Sequence, residues 1–192
     1  MNLASFADLA VRLVNSGVCD AEADPLRSCE AFRAFVAERP FLAVRVTPHD
    51  LDQLRLLRTE LAAVFSSAAQ GEDHEAIGRL NALMTVHPVH PVLVEHDGAP
   101  WHVHLSESGS MTDRYAAAAV ISLALLLSQL GTQRLGTCAM ASCSRAFIDA
   151  SSNKSRRYCA EHSAAKANVT SLLRQTRGIA ASREGPVTSA AS

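Results

Sequence analysis

Apolar residues recur through the first half of the chain with the period of an α-helix. Phe6, Leu9, Ala10 and Leu13 share one stripe, and Asn15-Ser16-Gly17 closes it. Ser28 is placed to cap a short helix that carries Phe32, Phe35 and Val36 and stops at Pro40. The clearest start is Thr47-Pro48-His49-Asp50, with a capping hydroxyl, a proline at the first helical position and an acid at the third. Leu54, Leu57, Leu61, Val64, Phe65 and Ala68 carry that helix to Gly71. A fourth helix is predicted over 73–84 on Ile77, Leu80 and Met84, after which His87-Pro88 and His90-Pro91 impose an extended path.

The period then becomes two. Residues 92–95 and 101–105, with five residues between them, predict a β-hairpin. Thr112 or Asp113 is the expected cap of a last long helix reaching Gly131, and residues 116–130 of it are almost wholly apolar. That run of about 15 residues is shorter than the ~20 a membrane span needs. It reads as a buried axis on which the other helices pack. The fold class expected is mainly α with a small β-hairpin (α+β): a helical domain over 1–131, a small treble-clef-like module over 132–177, and a disordered tail over 178–192.

Composition supports a folded chain: 48% of the 192 residues are hydrophobic and 19% charged. Residues 1–14 lack a basic leader and carry Asp8 and Arg12 inside the apolar stretch, so a cytoplasmic protein without membrane partners is expected. The net charge of -1 hides a division. Residues 132–183 hold nine Lys or Arg against two acids, a local balance of +7 that leaves -8 for the remainder. A basic module on an acidic body suggests that the module meets something anionic.

Five cysteines are an odd count for a disulfide framework and favour metal or simple burial. Cys138 and Cys143 are separated by four residues, and Cys159 and His162 follow after a gap of 15. Two close pairs joined by a short connection suit a closed tetrahedral site, for which Zn2+ is the best match to three thiolates and an imidazole. Cys159 and His162 would open a helix running to about 177, whose free N–H groups favour thiolate. Spacing constrains His162 least, and the plainer reading of any single cysteine is a buried thiol. Cys19 and Cys29, distant in sequence, read as core residues.

The stretch Cys138-Ala-Met-Ala-Ser-Cys143-Ser-Arg-Ala-Phe147-Ile-Asp149-Ala-Ser151-Ser-Asn153-Lys-Ser155-Arg156-Arg157-Tyr-Cys159 resembles the CGNR-type zinc finger, with its F-x-D-x-S-x-N-x-S-R-R-x-C run. The region before it, with Leu13-Val14-Asn15-Ser16, Leu54-Arg55-x-x-Arg58, the His-Pro segment and the apolar helix, is similar in order and length to the ABATE domain that precedes this finger. The family's final Cys-Gly-Asn-Arg is here His162-Ser163-Ala164-Ala165-Lys166, which leaves the fourth ligand open between His162, another group and none. The resemblance implies a bacterial transcription regulator linked to stress.

Three functions compete. In the first, Lys154, Arg156, Arg157, Lys166, Arg174 and Arg177 contact DNA phosphates, and Asn168 with Lys166 reads base edges. The body then senses a small ligand or forms a homodimer, because one finger of this size discriminates little sequence alone. The bland alternative to DNA contact is a solvated basic face that balances the acidic body. The second function is a protein–protein adaptor with a structural zinc module. The third is a metal enzyme built on His87, His90, His96, His102 and His104, but only Glu95 and Asp97 offer acids nearby. No G-x-S-x-G, P-loop, dinucleotide or H-E-x-x-H motif occurs, so no enzyme is expected.

Overall fold

The cap read from Thr47 and Asp50 forms in full in the computed structural model, which describes residues 3–18, 20–42, 44–95, 101–105 and 109–163. Thr47 Oγ1 accepts from the Asp50 N–H at 3.2 Å, and Asp50 Oδ2 accepts from the Thr47 N–H at 2.8 Å. These bonds start α3 (Pro48–Ala69), the third of five helices with α1 (Leu3–Ser16), α2 (Cys29–Phe35), α4 (Asp73–Val86) and α5 (Met111–Leu130). Asp50 is buried and does more than cap its own helix. Its Oδ1 takes the Thr112 N–H and its carbonyl takes the Thr112 hydroxyl at 3.1 Å, which ties the first turn of α3 to the first turn of α5. Burial alone would raise the Asp50 pKa, but the bonds from Thr47 and Thr112 outweigh it and hold the carboxyl below its ordinary value.

Helix α5 starts earlier than its apolar run, and the cap is neither Thr112 nor Asp113. Ser110 is the N-cap, with Asp113 completing a capping box from the third position, so the helix has 20 residues. By length and composition it could cross a bilayer, yet 67% of its most apolar window is buried inside the protein. Tyr115, Ala116, Ala119, Val120 and Leu123 are sealed in a core shared with α1, α3 and α4. The Tyr115 hydroxyl donates to the Leu9 carbonyl at 2.9 Å, and its ring meets Phe32 at 6.0 Å. The axis expected from sequence is present.

The Leu54-Arg55-x-x-Arg58 segment serves architecture. Leu54 is in the core, Arg55 donates to the Leu26 carbonyl, and Arg58 pairs with Asp24 at 2.9 Å while donating to the Ser16 hydroxyl. The loop after α1 is thereby fastened to α3. Cys29 packs against the core as expected, partly buried at the start of α2, whereas Cys19 lies outside the described residues.

Two small antiparallel sheets complete the fold. β1 (Val92–Val94) pairs with β2 (His102–His104). Leu93 lies opposite Val103, and both face solvent together with Trp101. The second sheet pairs β3 (Leu135–Thr137) with β4 (Ala146–Ile148), Gly136 opposite Phe147. A Cβ on Gly136 would come within 2.6 Å of the Phe147 ring, so the ring closes over the strand only because that residue is glycine. Leu135 and Ala146 belong to the same core as the helices, and β3 packs on α3 while β4 packs on α1. The outcome is mainly helical with minor strands, as the hydrophobic pattern implied.

Candidate metal centre

The β3–β4 hairpin builds the first half of the centre. Its ladder runs one bond past β3, the Cys138 N–H donating to the Arg145 carbonyl at 2.9 Å, and a turn closes with the Cys143 N–H on the Met140 carbonyl at 2.9 Å. In this turn each thiol faces an amide two residues further on: Cys138 Sγ accepts from Met140 and Cys143 Sγ from Arg145. The two cysteines thus share one tight, knuckle-like turn.

The second half arrives along the 149–158 segment, and Asp149 organises it. Its buried carboxylate accepts from the Ser151 N–H at 2.8 Å, the Ser151 hydroxyl and the Arg156 N–H at 2.9 Å. Burial would raise its pKa, but these donors and the nearby Arg134 guanidinium hold it below the ordinary value. Arg156 is committed to the scaffold: Nε donates to the Tyr158 carbonyl at 2.9 Å, a terminal nitrogen donates to the Ile148 carbonyl at 3.3 Å, and the guanidinium lies 5.1 Å from the Phe147 ring centre. Lys154 adopts a left-handed φ of 53° and is exposed, as is Arg157, whose carbonyl accepts from the Ala139 N–H. Thus Lys154 and Arg157 face solvent, whereas Arg156 supports the loop that presents them.

A helical turn begins at Ala160, and the Ser163 N–H makes its first bond, to the Cys159 carbonyl at 2.9 Å. It brings His162 Nδ1 to 3.3 Å from Cys138 Sγ and 3.4 Å from Cys159 Sγ. One ligand atom from each of Cys138, Cys143, Cys159 and His162 lies within 4.8 Å of every other. A tetrahedral ion with bonds of about 2.3 Å to sulfur and 2.0 Å to nitrogen would set such atoms roughly 3.5–3.8 Å apart, so the set is close to the size a metal requires. His162, rather than Ser163, faces the sulfurs; the Ser163 hydroxyl is engaged with the Tyr158 carbonyl at 3.1 Å. Three soft thiols and an imidazole with no carboxylate among them fit a metal ion as a closed, four-donor site.

The thiols are electrostatically unequal. Burial pushes the Cys138 thiol up, but the N–H groups of Cys159 and Met140 and the His162 ring outweigh it and bring its pKa down to about 6. For Cys143 burial prevails over the Arg145 N–H, and the adjacent thiols raise it further. The surroundings thus favour the thiolate at Cys138 and the thiol at Cys143.

Other candidates fall apart spatially or lie beyond view. Lys166, Asn168, Arg174, Arg177, the helix expected beyond 163 and the 178–192 tail lie outside the described residues. So do His96 and the side chain of His102. His87 is held by Asp113 at 3.3 Å, and the backbone N–H of His90 donates to the Leu105 carbonyl, extending the pairing of β1 with β2. Among the described residues, only the Cys138 cluster brings three or more metal-capable side chains together. A residue that sequence reasoning left without a role is Asn15 at the end of α1. Its Nδ2 donates to the Ala146 carbonyl at 3.0 Å and its Oδ1 accepts from the Ala146 N–H at 2.7 Å. One amide side chain therefore clamps strand β4 to the helical body across 131 positions of sequence.

A helical body with a Cys3His metal module seated on it defines a class of metal-finger proteins. A family model named ABATE and described as "Putative stress-induced transcription regulator" matches residues 7–149, and the CGNR zinc finger model matches residues 134–173. The chain belongs to the ABATE family and carries a CGNR zinc finger. The two matches overlap on 134–149, the hairpin that the body and the finger share. No curated protein matches the chain.

Proposed function

We propose that this protein is a zinc-containing, DNA-binding transcription regulator of the cytoplasm and not an enzyme. The observation that carries the reading is the placement of the Cys3His cluster beside an exposed basic loop. Asp149 and Arg156 stiffen that loop, so Lys154 and Arg157 are presented to a phosphate backbone at low entropic cost. Zn2+ would be held by Cys138, Cys143, Cys159 and His162, supplying charge neutralisation and a rigid corner. Lys166, Arg174 and Arg177 would add phosphate contacts, and Asn168 would read a base edge, from the segment that follows His162. The body would sense a small ligand or dimerise, placing two fingers on adjacent half-sites.

The test is binding of the full chain to random duplex DNA at several salt concentrations. An affinity that falls steeply as salt rises, and that weakens in the Lys154→Ala, Arg157→Ala double variant, supports the reading. Binding that ignores both salt and the substitutions rules it out. A second reading, a protein–protein adaptor, draws support from the hairpin, where Leu93, Val103 and the single tryptophan, Trp101, lie open to solvent. It predicts association that responds weakly to salt and is lost in Trp101→Ala.

A further inference from the structure

The three thiols of the centre differ in shielding. Cys138 and Cys159 are buried, while Cys143 is only half-buried and sits between the exposed Ser142 and Ser144. Cys138 and Cys143 also share one closed turn, whereas Cys159 belongs to the other segment. The hairpin carrying the first pair is anchored in the body's core by Leu135 and Ala146 and clamped by Asn15. The turn carrying Cys159 and His162 places only Cys159 in a buried position and is held instead by polar bonds: the Ala139 to Arg157 backbone bond, the Arg156 bridge to the Tyr158 and Ile148 carbonyls, and a surface pair between Arg145 and Glu161 at 3.2 Å.

From this asymmetry we propose that Cys143 is an oxidation site through which a hydroperoxide converts the knuckle to a Cys138–Cys143 disulfide and releases the helix half of the finger. The inference rests on the metal-finger reading. In the metal-loaded protein Cys143 would be a thiolate whatever its pKa in the free site, and its sulfur attacks the peroxide; an S–O bond forms, the O–O bond breaks, and the leaving oxygen departs protonated as water or an alcohol. The Cys138 thiolate then attacks the new sulfenic sulfur, forming S–S while the S–O bond breaks and hydroxide leaves as water after taking a proton. Two thiolates have lost two electrons and the peroxide has gained them. Cys159 and His162, left as a pair, no longer make a closed site for the metal. The hairpin stays on the body because its anchors do not involve sulfur, and a dithiol reductant with added zinc reverses the change.

The experiment treats the full chain, purified in its metal-loaded form, with hydrogen peroxide and follows metal release, free thiols, disulfide mapping by mass spectrometry and amide hydrogen exchange. The expected result is metal release in step with the loss of two thiols and a Cys138–Cys143 disulfide. Protection should be lost over 159–163 but kept over 135–137 and 146–148. Cys29→Ser should respond as the unsubstituted chain does. A disulfide that includes Cys159 overturns the proposal, as does protection lost across the whole chain, or metal and thiols retained at peroxide levels that oxidise free cysteine. Protein that carries no metal before treatment overturns the zinc reading and this inference together; a loaded protein that resists peroxide overturns the inference alone.

Discussion

The two halves of the finger are held by different physics. The hairpin half buries Leu135 and Ala146 in the same core as Leu54 and Tyr115, so the hydrophobic effect and the Asn15 clamp hold it whether or not a metal is present. The helix half brings Cys159 and His162 to the cluster but adds little to the core, since among its described residues only Cys159 is buried. The hairpin is better viewed as an extension of the helical body that offers two ligands to an otherwise loosely held segment. Metal and fold are linked on one side of the centre and nearly independent on the other.

Removing the ion should expose that difference most strongly. Structural zinc sites carry apparent binding free energies of about 10–16 kcal/mol, so chelation or Cys159→Ser should unfold the helix half completely. The body should keep its helical circular dichroism and its thermal transition, and exchange protection over 135–137 should persist. Loss of protection in the hairpin as well would show that the halves are one cooperative unit. Next in size is Asn15→Ala, which strips two bonds from a buried strand at a cost of about 1–3 kcal/mol. Here the pattern should invert: exchange at Ala146 rises, while metal affinity changes less than in any ligand substitution.

Legibility from sequence follows the same division between local and distant interactions. The long helices could be read because caps and periodicity are local, and Thr47 with Asp50 and the stripe from Leu54 to Phe65 behave as their spacing requires. The ligand pairs could be read for the same reason. The three-residue strands β3 and β4 carry too short an alternation to register, and β4 is legible only as part of the motif around Phe147. Helix α5 begins beyond its apolar run because the capping box of Ser110 and Asp113, not hydrophobicity, sets its start. Asn15 could not have been found by spacing at all, since its partner lies 131 residues away. Charge signalled a basic module but could not tell a guanidinium facing solvent from one spent on backbone carbonyls. Only the structure separates Arg157 from Arg156.

Acid sharpens the comparison further. The carboxyls of Asp50 in the body and Asp149 in the finger both titrate below the ordinary 3.8 in the folded chain. A depressed folded pKa stabilises the fold above the unfolded value and loses that contribution as pH falls through the folded one. Both regions should therefore weaken only below about pH 4 on this account. The finger has an additional weakness: thiols must be deprotonated to hold a metal, so protons compete with the ion for its donors as pH drops. Titrating the metal-loaded chain from pH 9 to 5 should release the ion and loosen the 159–163 segment while the α3–α5 junction at Asp50 and Thr112 stays protected. Equal loosening of both would contradict the assignment.

The smallest effect separates two adjacent arginines. Arg156→Ala removes bonds to the Tyr158 and Ile148 carbonyls and the stack on Phe147, so it should destabilise the finger by about 1–2 kcal/mol, and lysine should not rescue it because an ammonium cannot reproduce the planar fork. Arg157→Ala leaves these contacts intact and should leave the melting of the finger unchanged to within about 0.5 kcal/mol. If Arg157 meets a phosphate, the slope of log affinity against log salt should decrease by about 0.9 in that variant, and lysine should restore most of it because the counterion released depends on charge rather than shape. A stability loss in Arg157→Ala, or an unchanged salt slope, would assign both arginines to the scaffold and leave Lys154 as the exposed cation of this loop.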